Sequence, residues 1–155
     1  MNEQDRNSET FILFQVADTW YALPSRHVQQ VEMIEHITPV PNAPAFVEGV
    51  VFTRGQVIPA VNLRTRFGFE KVAHTARSRL IVTNQNGRCV GFIVDSAREF
   101  ISIAPDAIQA PPEGVVGLNG NYLKGVATPA GRVVLVLELK ELINSGENEA
   151  GAARA

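Results

Sequence analysis

The chain has 155 residues, of which 45% are hydrophobic and 19% are charged, and its formal net charge is −2. Such a composition can bury a core and excludes a disordered chain, while the small charge gives no general attraction to nucleic acid or to an anionic membrane. The single cysteine, Cys89, excludes an internal disulfide, and no apolar run is long enough to span a bilayer, so we expect a cytoplasmic protein without direct membrane insertion.

Both ends of the chain are polar. Residues 1–9 contain almost no apolar side chain, and residues 144–155 are small and polar. Because neither segment can offset its ordering entropy by burial, we predict a disordered N-terminal tail and a flexible C-terminal tail. The predicted ordered domain therefore covers residues 10–143.

Two segments have the pattern of β-hairpins. In FILFQVADTWYALP the turn falls at Ala17–Thr19, and in RLIVTNQNGRCVGFIVD it falls at the two-residue turn Asn86–Gly87. Each hairpin is followed by a proline-rich connection, TPVPNAPAF in the first case and APDAIQAPPEG in the second. Proline removes backbone donors, so these connections are predicted to be loops or sheet edges.

A gapless repeat relates residues 46–67 to residues 122–143. The alignment places Gly49 opposite Gly125 and Leu63 opposite Leu139, and it preserves the apolar alternation of a strand that runs into a helical turn. The repeat predicts an all-β fold of two related small barrels with short helical turns. The two intertwined subdomains are predicted to cover roughly residues 10–75 and 76–143, and a single β-sandwich with halves alike by chance is the alternative.

The sequence contains no recognisable reactive centre. The three histidines, His27, His36 and His74, are not at metal-ligand spacing, and Cys89 has no nearby histidine in sequence. Neither a G-x-S-x-G elbow nor a phosphate-binding loop is present. We therefore expect a protein that is not an enzyme and has no catalytic, cofactor-binding or metal-binding residues.

Two kinds of binding module are compatible with small β-barrels. Oligonucleotide binding needs a basic groove with aromatic platforms, but the aromatic residues of the first hairpin fall among apolar neighbours. Arg64 and Arg66 form only a short basic cluster, which is typical of a solvated helix face. A protein-interaction module is therefore favoured, and a small nucleic-acid-binding barrel is the alternative.

The chain resembles the CheW family of chemotaxis coupling proteins in three stretches, which are ITPVPNAPAFVEGVVFTRGQVIPAVNLRTRFG, RLIVTNQNGRCVGFIVDSAREFISI and YLKGVATPAGRVVLVLELKELI. The resemblance implies two five-stranded β-barrels side by side. It also implies a scaffold without cofactors that links the cytoplasmic tip of chemoreceptors to the regulatory domain of a CheA-type histidine kinase. Such an adaptor would be recruited to receptor clusters at the membrane, with no nucleic acid among its partners.

The resemblance assigns a receptor contact to four residues. Arg54 matches the family's receptor-contacting arginine, Val28 matches a groove residue, and Val31 and Gly49 are assigned to the same contact. From the residues alone, the first interpretation of the two valines is that they are core-facing strand positions, and that of Gly49 is a turn or close-packing glycine. The repeat supports Arg54 independently, because Ala130 occupies its place in the second copy and the turn therefore does not need an arginine.

The kinase contact is assigned less directly. Val40, Phe46 and Val47 lie in or beside the first proline-rich loop and are the candidates. Phe46 and Val47 are also compatible with a role as anchors of this loop in the core.

Three positions depart from the resembling family. Asn62 stands where the family often has aspartate, Glu138 where it often has aspartate or asparagine, and Gln30 where glutamate is common. These departures are compatible with a different receptor or kinase partner.

Overall fold

Ten β-strands dominate the described part of the chain, residues 8–113 and 122–143 of this computed structural model. The strands are β1 (Glu9–Val16), β2 (Thr19–Pro24), β3 (Val28–Met33), β4 (Val47–Thr53), β5 (Gln56–Asn62), β6 (Arg79–Gln85), β7 (Arg88–Val94), β8 (Ser96–Ile103), β9 (Leu123–Ala127) and β10 (Val134–Leu137). Helix α1 (Leu63–Arg66) follows β5, and α2, over residues 139–143, follows β10. Short 3-10 turns lie at Ser25–His27, Pro105–Ala107 and Pro129–Gly131.

The predicted tails lie almost entirely outside the described residues. Residues 1–7 and 144–155 are not described, and the predicted N-terminal tail is one residue too long because Glu9 already belongs to β1. In the part that the structure describes, no helix combines the length and apolarity that a membrane crossing requires.

The strands form two five-stranded sheets. The order is β8-β1-β2-β10-β9 in one sheet, called sheet A here, and β3-β6-β7-β5-β4 in the other, called sheet B. The all-β class with two five-stranded units is confirmed, but the word barrel applies only loosely. One edge strand of each sheet is extended by a single bridge, β4 by Thr38 with Val50 and β9 by Gln109 with Val126.

The two sheets do not follow the halves of the chain. Sheet A takes β1 and β2 from the first half, and sheet B takes β6 and β7 from the second half. The predicted boundary near residues 75 and 76 is therefore wrong for the sheets. The physical reason is parallel pairing, because β2 pairs with β10 and β7 pairs with β5, so that each copy of the repeat gives its first hairpin to the sheet of the other copy.

The exchanged hairpins are buried on both faces. In β1, Phe11 and Leu13 pack inside sheet A, whereas Ile12 and Phe14 pack in a cluster between the sheets. The residues Leu80–Val82 of β6 alternate in the same way between the interior of sheet B and the central cluster. Burial on both faces explains why these hairpins have continuous apolar runs instead of a simple alternation.

The repeat extends to individual hydrogen bonds. The amide of Asn62 donates to the carbonyl of Phe46 over 2.7 Å, and the amide of Glu138 donates to the carbonyl of Tyr122 over 2.8 Å. Both copies then continue from strand to helix at the same aligned position. Residues 46–67 and 122–143 therefore share an order of elements and a pattern of backbone pairing.

Candidate partner-binding surface

Arg54 lies in the two-residue turn between β4 and β5. Its φ is 52° and that of Gly55 is 76°, while the aligned Ala130 and Gly131 have φ values of 54° and 78°. Two successive positive φ values are typical of the tight turns that favour asparagine and glycine. Neither arginine nor alanine is the residue that such a turn prefers, so the backbone does not explain the arginine.

The side chain of Arg54 is available to a partner. Arg54 is exposed, and within the described residues none of the hydrogen bonds or ion pairs involves its guanidinium. The group therefore offers its full set of donors to solvent or to a partner.

A groove of about 440 Å³ lies beside Arg54. It is lined by Phe52 and Thr53 of β4 and by the chain from Glu32 to Thr38. The side chains of Phe52 and Met33 are 74% and 63% exposed. The groove therefore places an unpartnered cation next to exposed apolar surface, which is a combination suited to an amphipathic partner.

A side-chain network ties the Arg54 turn to β3. The Gln30 amide donates to Thr53 Oγ1 over 2.8 Å and also to the Glu32 carboxylate, and Thr53 Oγ1 donates to Glu32 Oε2 over 3.3 Å. Because β3 and β4 are the two edges of sheet B, the network bridges the seam between them. A glutamate in place of Gln30 would lose both donors and add a second carboxylate beside Glu32.

Val28 and Val31 lie on the other face of β3. Both are half-buried and pack against the cluster between the two sheets. Val31 pairs with Ile81, which belongs to that cluster, and neither valine lines the groove beside Arg54. The structure therefore does not gather Val28, Val31 and Arg54 into one groove.

Gly49 is buried and has a packing role. A Cβ atom at this position would lie 2.0 Å from the carbonyl oxygen of Thr38. The segment at Thr38 crosses directly over the glycine because it bridges to Val50. The contact assigned to Gly49 by resemblance is therefore not one of an exposed surface.

The three kinase candidates lie in different settings. Val40 is exposed in the loop before β4, whereas Phe46 and Val47 are half-buried. Phe46 and Val47 line a small apolar pocket of about 130 Å³. The structure thus brings these last two together in one concave surface.

The basic cluster Arg64 and Arg66 is used inside the fold. Arg64 Nε contacts both carboxylate oxygens of Asp95, at 3.0 and 3.1 Å, and Asp95 also accepts from the amide of Ala17 over 2.8 Å. Arg66 is 6% exposed, and the expectation of a solvated helix face is wrong for it. These contacts do not support the nucleic-acid alternative, since neither arginine contributes to an open basic groove.

The asparagine at position 62 has a structural explanation. Its side-chain oxygen accepts from the amide of Thr65 and caps α1, while Nδ2 donates to Glu48 Oε1 over 2.6 Å. An aspartate could cap the helix but could not donate to Glu48. Asn62 is 3% exposed, so this departure from the family concerns the interior of the fold. Glu138, the aligned residue, is half-buried.

The histidines and the cysteine do not converge. Within residues 8–113 and 122–143, no group of three or more His, Cys, Asp or Glu side chains is placed to hold a metal ion. Cys89 is half-buried at the start of β7.

The turn geometry gives a first prediction. Glycine adopts positive φ without the steric cost of a Cβ atom. Arg54→Gly and Ala130→Gly are each expected to raise the free energy of unfolding by roughly 1 kcal/mol, partly offset by the greater freedom of glycine in the unfolded chain. Chemical denaturation of the two variants measures the effect, and a loss of stability for Arg54→Gly alone would show that the Arg54 side chain stabilises the fold.

Comparison with known proteins identifies relatives over nearly the whole chain. The model of the CheW-like domain matches residues 10–147. A chemotaxis protein CheW from Rhizobium meliloti is 31% identical over 139 residues, covering 90% of this chain and 90% of the relative. One from Helicobacter pylori is 31% identical over 144 residues, covering 92% and 87%. The crystal structure of the scaffolding protein TtCheW from Thermoanaerobacter tengcongensis superposes with a TM-score of 0.79 at 29% identity, covering 87% of this chain and 92% of the other.

Proposed function

Because the chain belongs to the CheW-like domain family, we propose that it is a chemotaxis adaptor that couples chemoreceptors to a CheA-type histidine kinase. The observation that carries this proposal is the match of the family model to residues 10–147, which is most of the chain. The relatives named above are chemotaxis proteins, and the similar crystal structure is that of a scaffolding protein. The adaptor acts by binding and not by catalysis, at receptor clusters on the cytoplasmic side of the membrane.

The receptor contact in this proposal follows β3, an edge strand. The groove beside Arg54 lies toward one face of the strand, and Val28 and Val31 present half-buried apolar side chains on the other. Because Gln30 joins β3 to the Arg54 turn through Thr53, a receptor helix that contacts the groove lies next to β3. Gly49 contributes indirectly, by allowing Thr38 to pack close to β4 beside the groove.

The kinase contact in this proposal uses the segment before β4. Val40 is exposed and suits a direct contact with the kinase regulatory domain. Phe46 and Val47 form a concave apolar surface a few residues further along the chain. Loops of this kind can vary without loss of the fold, and they commonly carry binding residues.

Co-purification with a receptor cytoplasmic-tip fragment and with a CheA-type regulatory-domain fragment tests the proposal. The full chain should retain both fragments. Val40→Asp, a change at an exposed position, should weaken retention of the kinase fragment and leave that of the receptor fragment unchanged. Failure of the folded wild-type chain to retain either fragment would contradict the adaptor function, and an unaffected kinase interaction in Val40→Asp would move that contact elsewhere.

A further inference from the structure

The segment from Gly68 to Arg77 connects α1 to β6 and belongs to neither sheet. All of its residues are exposed. Two of them, Phe69 and Val72, have large apolar side chains that are 40% and 44% exposed. Single exposed apolar residues are common on protein surfaces, so the groups beside them decide what this segment can bind.

The segment is fixed to the body of the protein. The amide of Phe69 donates to the carbonyl of Arg64 over 2.8 Å. Further along, His74 Nε2 lies 3.1 Å from Glu48 Oε1 on β4. Because these contacts order the backbone before any partner arrives, binding to this segment costs little additional conformational entropy.

A polar pocket of about 220 Å³ lies between this segment and the body of the protein. The segment contributes Val72 and Arg77 to its lining, and Arg64 contributes from α1. The rest of the lining includes Gln15 of β1 and Asp95, which lies between β7 and β8. The pocket therefore opens beside one of the two exposed apolar side chains.

The charges that line the pocket are not balanced. Arg64 Nε contacts both carboxylate oxygens of Asp95, at 3.0 and 3.1 Å, and this carboxylate also accepts from the amide of Ala17. Arg64 and Asp95 thus compensate each other. Arg77 is exposed, and among the described residues none of the hydrogen bonds or ion pairs involves its guanidinium. The pocket therefore has one positive charge without a counterpart.

Neutral donors line the pocket together with this cation. Ser78 Oγ accepts from the amide of Thr75, and Thr75 Oγ1 accepts from the amide of Arg77, so both hydroxyl groups keep a hydrogen to donate. The side-chain oxygen of Gln15 accepts from Ser96, and its NH2 group is left as a donor. Such a set of donors suits a carboxylate, which only accepts hydrogen bonds.

The size of the pocket limits what can enter it. An apolar cavity of about 150 Å³ holds a benzene ring, so a space of about 220 Å³ has room for one acidic side chain with bound water. A chain that delivers such a side chain would lie against Val72 at the pocket and against the nearby Phe69. The pocket thus combines a carboxylate subsite with adjoining apolar surface.

We propose that this pocket binds the carboxylate of a glutamate or aspartate side chain of a partner protein, whose neighbouring apolar residues contact Phe69 and Val72. The carboxylate accepts from the guanidinium of Arg77 and from the hydroxyl groups of Thr75 and Ser78. The pocket shares no lining residue with the groove or the apolar pocket assigned above to the receptor and the kinase. The proposal therefore does not depend on those two assignments.

Titration of the full chain in amide-resolved NMR tests this binding. The probes are acetyl-Leu-Glu-Leu-amide, the same peptide with glutamine in place of glutamate, and succinate, which offers carboxylates without apolar neighbours. The glutamate peptide should shift the signals of Val72, Thr75 and Ser96. Binding should be about ten-fold weaker for the glutamine peptide, and it should also be weaker for succinate, which lacks the apolar contact.

Three results of this titration would overturn the proposal. Equal affinity for the two peptides would show that the carboxylate is not recognised. Shifts that are not localised to the pocket would show that the peptide binds elsewhere. Succinate bound as tightly as the glutamate peptide would assign the pocket to a free carboxylate and not to a partner protein.

Two pairs of variants provide matched controls. Arg77→Glu reverses the charge in the pocket and should weaken binding of the glutamate peptide at least about ten-fold, whereas Arg98→Glu, outside the pocket, should not. Ala73→Phe narrows the pocket and should also weaken binding, whereas Ala76→Phe changes a position of the same segment that does not line it. All four positions are exposed, so the core is unchanged. Equal effects within either pair would overturn the proposal.

Discussion

Gly49→Ala is expected to lower the free energy of unfolding by about 3 kcal/mol. The added methyl group would lie 2.0 Å from the carbonyl oxygen of Thr38 and 2.6 Å from its carbonyl carbon. Thr38 cannot easily move away, because its amide and carbonyl both bond to Val50, over 2.9 and 2.8 Å. The substitution must therefore displace β4 or break this bridge, and chemical denaturation measures the resulting loss.

The second copy of the repeat supplies the matched comparison. A Cβ atom at Gly125 would lie 2.6 Å from the carbonyl oxygen of Gln109, which bridges to Val126 as Thr38 bridges to Val50. Gly125→Ala should therefore destabilise as well, by less than Gly49→Ala. At Gly55 no atom lies within 4 Å of the Cβ position, although φ is +76°, so Gly55→Ala should cost only about 1 kcal/mol of backbone strain.

This series also separates packing from recognition at Gly49. The family resemblance assigns Gly49 to the receptor contact, whereas the structure buries it beneath Thr38. Receptor-fragment affinity should fall in Gly49→Ala only together with stability, because displacement of Thr38 both weakens the packing on β4 and distorts the groove that Thr38 lines. If Gly49→Ala lost receptor affinity at normal stability, the packing role would be wrong and Gly49 would contact the receptor directly.

Local patterns predicted the strands, but they could not predict the sheets. The turn at Asn86–Gly87 and the repeat of residues 46–67 indicate hairpins and strand–helix units correctly, because these features depend on neighbouring residues. The exchange of hairpins between copies depends on which strands pair in parallel across the chain. The doubly buried runs in β1 and β6 were the only local sign of it, and such runs are equally compatible with other central strands.

The candidate residues show the same difference between local and long-range information. Arg54 could be singled out from the sequence, because its repeat partner Ala130 shows that the turn functions without it. The internal roles of Arg66 and Asn62 could not be predicted from the sequence. Arg66 contacts the rings of Phe46 and Tyr122, and Asn62 donates to Glu48, so both roles depend on segments that only the fold brings together. The alignment of Phe46 with Tyr122 was a missed signal for Arg66, whose guanidinium lies 5.2 and 5.5 Å from the centroids of these two rings.

Arg54→Ala is expected to weaken binding of a receptor fragment by roughly 1.5–3 kcal/mol, which is about one to two powers of ten in Kd. The exposed guanidinium can form charge-assisted hydrogen bonds with polar groups at the receptor tip, and the adjoining groove supplies apolar contact. Isothermal titration of the receptor fragment measures the loss. Arg54→Lys should restore only part of the affinity, because an ammonium group does not reproduce the planar fork of donors.

The fold itself provides the control for Arg54→Ala. Ala130 adopts a φ of 54° in the equivalent turn, against 52° for Arg54, so alanine is compatible with this backbone and the unfolding transition should not move. Arg98→Ala removes the same charge from an exposed position on β8 and should leave affinity unchanged. If Arg54→Ala and Arg98→Ala lost the same affinity, the effect would come from net charge and not from a specific contact of Arg54. Lost affinity together with a lower unfolding midpoint would instead mean that the Arg54 side chain stabilises the turn. This turn belongs to the β4–β5 hairpin, which Gln30 and Glu32 of β3 contact at Thr53.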